Sequence, residues 1–132
     1  MRSGVGDSLI EAARAAQSNA YAPYSSFRVG AGLEAADGAV YTGCNVESAS
    51  YGLSICAERA AVAFAVARGA RQFRRIVVVS DSEPPASPCG ACRQVLAEFG
   101  LDLEVEAVGP RSRQTWRLAD LLPDAFTRDR LA

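Results

Sequence analysis

The sequence predicts an α/β protein, a three-layer α/β/α sandwich in which a mixed five-stranded sheet carries helices on both faces. Helical and extended patterns alternate along the chain, and the run Ile76-Val77-Val78-Val79 is apolar without alternation, as in a strand covered on both faces. The length of 132 residues suits one compact core. We therefore expect a single domain, residues 1–132, with its core at about 8–127 and a flexible tail at 128–132.

Breaks and apolar runs define the elements in the first half of the chain. Pro23 disfavours helix in the residue before it, which ends the first helix, and the turn pair Asp37-Gly38 between loosely alternating runs predicts a hairpin. The run at residues 57–68 is apolar on nearly every face, which predicts a buried helix. The predicted elements of this half are a helix capped by Asp7 or Ser8 that reaches about Ser18, strands at 27–35 and 39–45, a long loop at 46–55 and a helix at 57–68.

Glycines and prolines divide the second half. Gly69 and Gly100 each follow a helical run and are typical helix stops. The predicted elements of this half are a strand at 76–79, a Pro-rich loop at 81–88, a helix at 91–99, a strand at 103–108, a short strand at about 114–118 and a helical turn at 118–122.

The composition excludes several kinds of chemistry. A hydrophobic content of 49% with 22% charged residues is ordinary for a globular protein. All 14 basic residues are Arg, and the sequence contains neither His nor Lys. A Ser-His-Asp triad, a Cys-His nucleophile, a His-liganded metal and a Lys Schiff base are therefore excluded.

Charge and hydropathy indicate where the protein acts and on what. A net charge of −1 argues against a nucleic-acid partner, and the densest basic cluster, Arg71, Arg74 and Arg75, is interpreted as a solvated helix end. The sequence has no secretory leader pattern and no apolar run near the ~18 residues that a membrane span needs. We expect a cytoplasmic protein with no membrane partner, in which reduced cysteines favour metal binding over disulfides.

Three cysteines have the spacing of a metal site. Cys89 and Cys92 are separated by two residues, so one turn can place both sulfurs on a single cation. Cys56 is the natural third ligand, because it also stands at the start of a predicted helix, where unpaired amides stabilise a thiolate. Three thiolates leave the fourth corner of a tetrahedral Zn²⁺ for water, which is the arrangement of a catalytic site.

Glu58 and Cys44 decide between a catalytic and a structural zinc site. Glu58 follows Cys56 by two residues, so its carboxylate can lean over the metal and shuttle protons; alternatively, it only favours the helix dipole. Cys44 as a fourth ligand would close the site. Closed sites usually consist of two close pairs, whereas Cys44 lies twelve residues before Cys56, so a small buried thiol is the favoured interpretation.

These motifs resemble a known family. Cys56-Ala57-Glu58 followed by Pro88-Cys89-Gly90-Ala91-Cys92 is similar to the zinc nucleoside deaminase signature in its all-Cys form. The similarity covers about residues 8–127 and is to the short, homotetrameric cytidine deaminases. Other segments that resemble this family are Tyr21-Ala22-Pro23-Tyr24-Ser25, Gly43-Cys44-Asn45-Val46-Glu47, Ala49-Ser50-Tyr51-Gly52, Cys92-Arg93-Gln94-Val95-Leu96-Ala97-Glu98 and Leu121-Leu122-Pro123-Asp124-Ala125-Phe126.

The resemblance implies a cytidine deaminase-like fold with one Zn²⁺ per subunit. It also implies hydrolysis of free cytidine and 2′-deoxycytidine to the uridines plus ammonia, in pyrimidine salvage, by a homotetramer with shared active sites. One rival is a deaminase of the same fold that acts on an aminopyrimidine antibiotic or on cytosine in a polynucleotide. A rival of another class is a non-catalytic, zinc-stabilised interaction domain, which requires Cys44 on the metal or Glu58 turned away from it.

Three residues are candidates for nucleoside binding from their chemistry. Asn45 and Glu47 alternate at the end of a predicted strand, so both can point one way and bind two sugar hydroxyls; the alternative is an Asx turn and a solvated Glu. Phe27 can stack on a pyrimidine or belong to the core. The resemblance favours the binding interpretation for all three.

Five further roles are implied by the resemblance alone. The Ala57 amide would contact the ring carbonyl, and the Ser87 carbonyl would contact the leaving amine. Tyr51 and Phe126 resemble residues that complete a neighbouring subunit's site. Arg59 resembles an arginine that hydrogen-bonds the ligand sulfurs; its alternative is an ion pair on the helix surface.

Overall fold

A mixed five-stranded sheet forms the middle layer of the protein. The computed structural model describes residues 3–131, and their side chains from residue 8 onward. The elements are α1 (Ser3–Gln17), β1 (Gly30–Ala35), β2 (Val40–Cys44), α2 (Ala57–Ala67), β3 (Phe73–Val79), α3 (Gly90–Ala97), β4 (Glu104–Val108), β5 (Arg113–Arg117) and α4 (Leu118–Leu121), with 3₁₀ turns at Tyr51–Leu53 and Arg128–Leu131. The strand order is β2-β1-β3-β4-β5, in which β3 and β4 are parallel and the other pairs antiparallel.

Helices cover both faces of the sheet, which confirms the predicted three-layer fold. On one face, Leu9 of α1 packs in a cluster with Val77 and Val79 of β3. On the other face, Ile76 and Val78 of β3 share a core with residues of α2 and α3. Strand β3 is therefore buried on both sides, as its unbroken apolar run predicts. Among residues 3–131, no helix is both long and apolar enough to cross a membrane.

Three element boundaries differ from the prediction by three residues or more, and one of them is the start of β3, at Phe73 instead of Ile76. Helix α1 begins at Ser3, before the predicted cap at Asp7 or Ser8. Strand β1 begins at Gly30 instead of Phe27, because the backbone of the preceding residues bonds to the side chain of Asn45: Val29 N–H donates to its Oδ1 at 2.9 Å. At this point a hydrogen bond to a side chain thus replaces the backbone hydrogen bond of a strand pair.

A buried ion cluster lies on the sheet, where a solvated basic cluster was predicted. Arg75 is only 7% exposed and pairs with Glu106, which is 3% exposed. Arg75 Nε also lies 3.4 Å from Glu104 Oε2, and Arg113 Nε lies 3.2 Å from Glu106 Oε2. Arg71 and Arg74 are exposed, as predicted. The predicted solvation of Arg75 is wrong, because the parallel register of β3 and β4 sets acidic residues beside it and so compensates its buried charge.

Close packing of β2 against α2 fixes the position of the first turn of α2. A Cβ atom on Gly43 would lie 2.4 Å from Ala61 N and 2.6 Å from Ala57 O. Both are backbone atoms that a side-chain adjustment cannot move. A residue without a Cβ therefore allows the strand to reach the helix start, which is where Cys56 forms the N-terminal cap.

Replacing Gly43 by Ala is expected to destabilise the protein by about 1–3 kcal/mol, because the added methyl group overlaps helix backbone. Thermal unfolding followed by circular dichroism measures the change. Gly52→Ala is the matched control, since a Cβ at Gly52 meets nothing within 4 Å. Equal melting temperatures for the two variants would contradict this packing argument.

Candidate active site

Three cysteine sulfurs meet where α2 and α3 begin. Cys56 caps α2, Cys89 caps α3, and Cys92 is in the first turn of α3. Their Sγ atoms all lie within 4.8 Å of one another. The structure thus brings together all three cysteines that the sequence predicts as ligands.

The sulfur cluster fits a cation that accepts soft ligands. Hydrogen bonding with Cys92 lowers the pKa of the Cys56 thiol to about 5, and the same contact, together with burial, raises the pKa of Cys92. The neighbouring groups thus stabilise one of the sulfurs as a thiolate. A bound cation would stabilise all three sulfurs as thiolates. Thiolates suit Zn²⁺, and three of them leave one tetrahedral position open. The donor set therefore fits zinc in an open site.

Arg59 is directed at the sulfurs. Hydrogen bonding to Cys56 raises the pKa of the Arg59 guanidinium. Its Nε is buried and has no hydrogen-bond partner in the part of the chain that is described, while Nη2 reaches Ser54 O at 3.5 Å. Zn²⁺ with three thiolates carries a charge of −1. The guanidinium and the two helix N-termini can offset that charge.

Cys44 stands apart from the cluster. It ends β2 and is half-buried as a free thiol. The group of sulfurs within 4.8 Å contains Cys56, Cys89 and Cys92 but not Cys44. The arrangement therefore does not fit the closed four-cysteine site.

A pocket of about 270 Å³ opens beside the cluster. Eight predicted site residues line it: Phe27, Asn45, Glu47, Cys56, Ala57, Glu58, Ser87 and Cys89. The sequence analysis missed the rest of the wall, which is made of small or apolar side chains without a chemical signal in the sequence. These residues are Val29, Ser54, Ile55, Val78, Ser80 and Ala86.

Glu58 is a buried carboxyl in this pocket. It is the second residue of α2, directly after Ala57, and is 6% exposed. Burial raises the pKa of Glu58, and the neighbouring charge of Cys56 acts in the same direction. A carboxyl group with a raised pKa exchanges protons more readily near neutral pH than an ordinary one. The site therefore combines a proton carrier with a metal-binding cluster.

Asn45 lines the pocket and also orders its rim. Its Nδ2 donates to Phe27 O at 2.8 Å, and its Oδ1 accepts from Val29 N–H at 2.9 Å. The amide keeps one N–H and one lone pair for another partner. The structural and the binding interpretations of Asn45 are therefore compatible.

Glu47 also lines the pocket and is hydrogen-bonded to a neighbouring loop. Its Oε1 accepts from the backbone amides of Tyr24 and Ser25 at 3.0 and 3.1 Å, and its Oε2 accepts from the Ser25 hydroxyl. The Ser25 hydroxyl is the main cause of a lowered pKa of Glu47, so this carboxyl is ionised. It is a fixed anion at the pocket wall.

The comparisons with known proteins agree with this geometry. Residues 6–106 match the family model described as the cytidine and deoxycytidylate deaminase zinc-binding region. The chain belongs to the cytidine and deoxycytidylate deaminase family. A cytidine deaminase of Sporosarcina psychrophila is 44% identical over 129 residues, which are 96% of this chain and 94% of that protein.

The fold of this family member is also similar to solved structures of cytidine deaminases. A cytidine deaminase from Burkholderia pseudomallei is 52% identical and superposes with a TM-score of 0.88, over 91% of this chain and 98% of the other. A cytidine deaminase from Mycobacterium tuberculosis is 43% identical with a TM-score of 0.80, over 92% and 96% of the two chains. The predicted resemblance and fold class are thereby confirmed, and zinc is the cofactor of this site.

Two predicted substrate-binding residues of this deaminase-family chain lie outside its own pocket. Tyr51 is 74% exposed and meets Tyr24 edge-on at a ring-centroid distance of 6.0 Å. Phe126 is 55% exposed, and its carbonyl accepts a hydrogen bond from Gln94 Nε2 at 2.6 Å. Neither lines the pocket of the same chain. Their predicted contribution to a neighbouring subunit's site stays a prediction.

Arg93 is a polar residue near the site that the sequence analysis left without a role. It follows Cys92 directly, and its guanidinium bonds to Ser87, which lines the pocket. Its position in the family-like segment Cys92-Arg93-Gln94-Val95-Leu96-Ala97-Glu98 was the one available signal, because its partner Leu121 lies 28 residues away.

Proposed function

We propose that the protein is a zinc-dependent cytidine deaminase that hydrolyses free cytidine and 2′-deoxycytidine to uridine and 2′-deoxyuridine with release of ammonia. The observation that carries this proposal is the placement of a buried carboxyl, Glu58, and an open three-cysteine cluster in one pocket. Membership of the deaminase family supports it.

Cys56, Cys89 and Cys92 would hold the zinc ion. When bound, zinc supplies the Lewis acidity that makes water a nucleophile at neutral pH. Arg59 stabilises the thiolate form of the ligands through its contact with Cys56. The three cysteines and the arginine therefore set the charge of the site.

Glu58 would move the protons. The reaction consumes one water and releases one ammonia, so a proton must pass from water to the pyrimidine ring and another to the departing amine. A single carboxyl can perform both transfers if it alternates between base and acid. Burial favours the protonated form of Glu58, which makes the acid half of this cycle accessible.

Five pocket residues would orient the nucleoside. Phe27, 39% exposed in the pocket wall, offers a face for the pyrimidine ring, and Asn45 with Glu47 would bind the sugar hydroxyls. Ala57 is the first residue of α2, so its N–H has no partner within the helix and can contact the ring carbonyl. The Ser87 carbonyl would accept from the leaving amine.

We further propose that residues 1–132 form one domain that assembles as a cytoplasmic homotetramer in pyrimidine salvage. The large exposed fractions of Tyr51 and Phe126 support a composite site, because both side chains are available to a neighbouring subunit. The net charge of −1 argues against a polynucleotide substrate.

A substrate panel tests this function against its rivals. Zinc-loaded protein is incubated with cytidine, 2′-deoxycytidine, an aminopyrimidine antibiotic and an oligonucleotide with one cytosine, and products are separated by chromatography. We expect both nucleosides to be converted to their uridines and the other two compounds to stay unchanged. Conversion of the antibiotic or of the oligonucleotide, with both nucleosides unchanged, would overturn the proposal. The interaction-domain rival is disfavoured, because it requires Cys44 at the metal or Glu58 outside the pocket.

A further inference from the structure

The guanidinium of Arg93 joins two segments of the chain at the edge of the pocket. Nε donates to Pro88 O at 2.7 Å, and Nη2 donates to Ser87 Oγ at 3.0 Å. Nη1 donates to Leu121 O at 2.8 Å, at the end of α4. One side chain thereby ties the loop before Cys89 to the segment that follows the sheet.

The loop held by Arg93 is long and contains no helix or strand of its own. It connects β3 to α3, and its last residues before Cys89 are Ser87, which lines the pocket, and Pro88. At its far end, Glu83 Oε1 accepts from Arg111 N at 3.3 Å in the turn between β4 and β5. Glu83 thus fixes the outer end of the loop, and Arg93 fixes the end at the pocket.

The geometry of the three bonds requires a guanidinium. Its N–H groups form a rigid, planar fork that can reach three acceptors at once, whereas a lysine ammonium is a single point on a flexible stem. The acceptors lie 5, 6 and 28 residues from Arg93 in the sequence. A lysine would keep the charge but could not hold all three acceptors.

We propose that Arg93 is a positioning residue that holds the Ser87–Pro88 backbone against the amino group leaving the pyrimidine. This inference rests on the proposed function, in which the Ser87 carbonyl accepts from that amine. Arg93 does not line the pocket and acts through the loop. A small displacement of such a contact can reduce a rate by roughly 10²-fold.

The test compares a ligand that has the amine with one that lacks it. In zinc-loaded, full-length Arg93→Lys and Arg93→Gln, kcat/KM for cytidine is expected to fall by roughly 10²-fold. The inhibition constant of uridine, which has no amine, is expected to change far less, and the zinc content is expected to stay at the wild-type value. Ser87→Ala removes one of the three bonds without other loss and should show a smaller effect with the same asymmetry.

Arg71→Lys is the matched control. The Arg71 guanidinium also bonds two backbone carbonyls, Val66 O at 3.0 Å and Ala70 O at 2.9 Å, but it lies outside the pocket lining. This variant is expected to keep wild-type kinetics.

Three results would overturn the inference. Wild-type kinetics in both Arg93 variants would show that the loop needs no such anchor. Equal losses for cytidine and uridine, in these variants or in Ser87→Ala, would show a general structural role. A wild-type protein that does not convert cytidine would overturn the proposed function and this inference with it, whereas the first two results leave the proposed function standing.

Discussion

Replacing Glu58 by Gln is expected to lower the turnover of cytidine by roughly 10²–10⁴-fold, the usual contribution of a proton-transferring side chain. The amide has nearly the same volume as the carboxyl but cannot accept and return a proton. Burial raises the pKa of Glu58, so this position favours a neutral side chain. We therefore expect the variant to fold, to bind zinc and to melt no earlier than the wild type.

Initial rates, zinc content by atomic emission and thermal unfolding are measured together for this variant. Glu98→Gln is the control, because this substitution changes the charge in the same way at an exposed position directly after α3. Near-native turnover in Glu58→Gln would remove the proposed proton carrier. Loss of zinc in the same variant would instead assign Glu58 to the metal.

Removing a single ligand sulfur is expected to abolish both zinc binding and activity. Cys56→Ala, Cys89→Ala and Cys92→Ala each leave two thiolates, too few for a stable zinc site. Cys44→Ala is the matched control, because Cys44 is a free thiol outside the cluster. We expect about one zinc per chain in the control and close to none in the other three variants.

X-ray absorption at the zinc edge tests the same assignment directly. The wild type and Cys44→Ala should both show three sulfurs and one lighter atom around zinc, as in an open site. Four sulfurs in the wild type, reduced to three in Cys44→Ala, would contradict the open site and would favour the structural interaction domain.

The order of elements could be predicted from the sequence because each has a strong local pattern. The apolar run of β3 and the helix stops at Gly69 and Gly100 are local signals, and all the predicted elements occur in the structure. The start of β1 could not be predicted, because Asn45, sixteen residues after Val29, decides it. The burial of Arg75 depends on the register of β3 and β4, which no local pattern contains.

The metal cluster was predictable for the same reason. The spacing of Cys89 and Cys92 is local, and Cys56 is recognised by its own helix start. Arg93 was missed because its partner Leu121 lies 28 residues away. The pocket wall was missed because small side chains such as Ala86 carry no chemistry of their own.

The central claim of zinc-dependent cytidine hydrolysis is tested most directly by the ultraviolet absorbance of cytidine mixed with the purified protein. The assay is run with the zinc-loaded protein, after removal of zinc with a thiol-competent chelator, and after zinc is added back. We expect the absorbance to fall as uridine forms, to stay constant without zinc and to fall again after its return. A constant absorbance with folded, zinc-loaded protein, or an equal fall with and without zinc, would contradict the account.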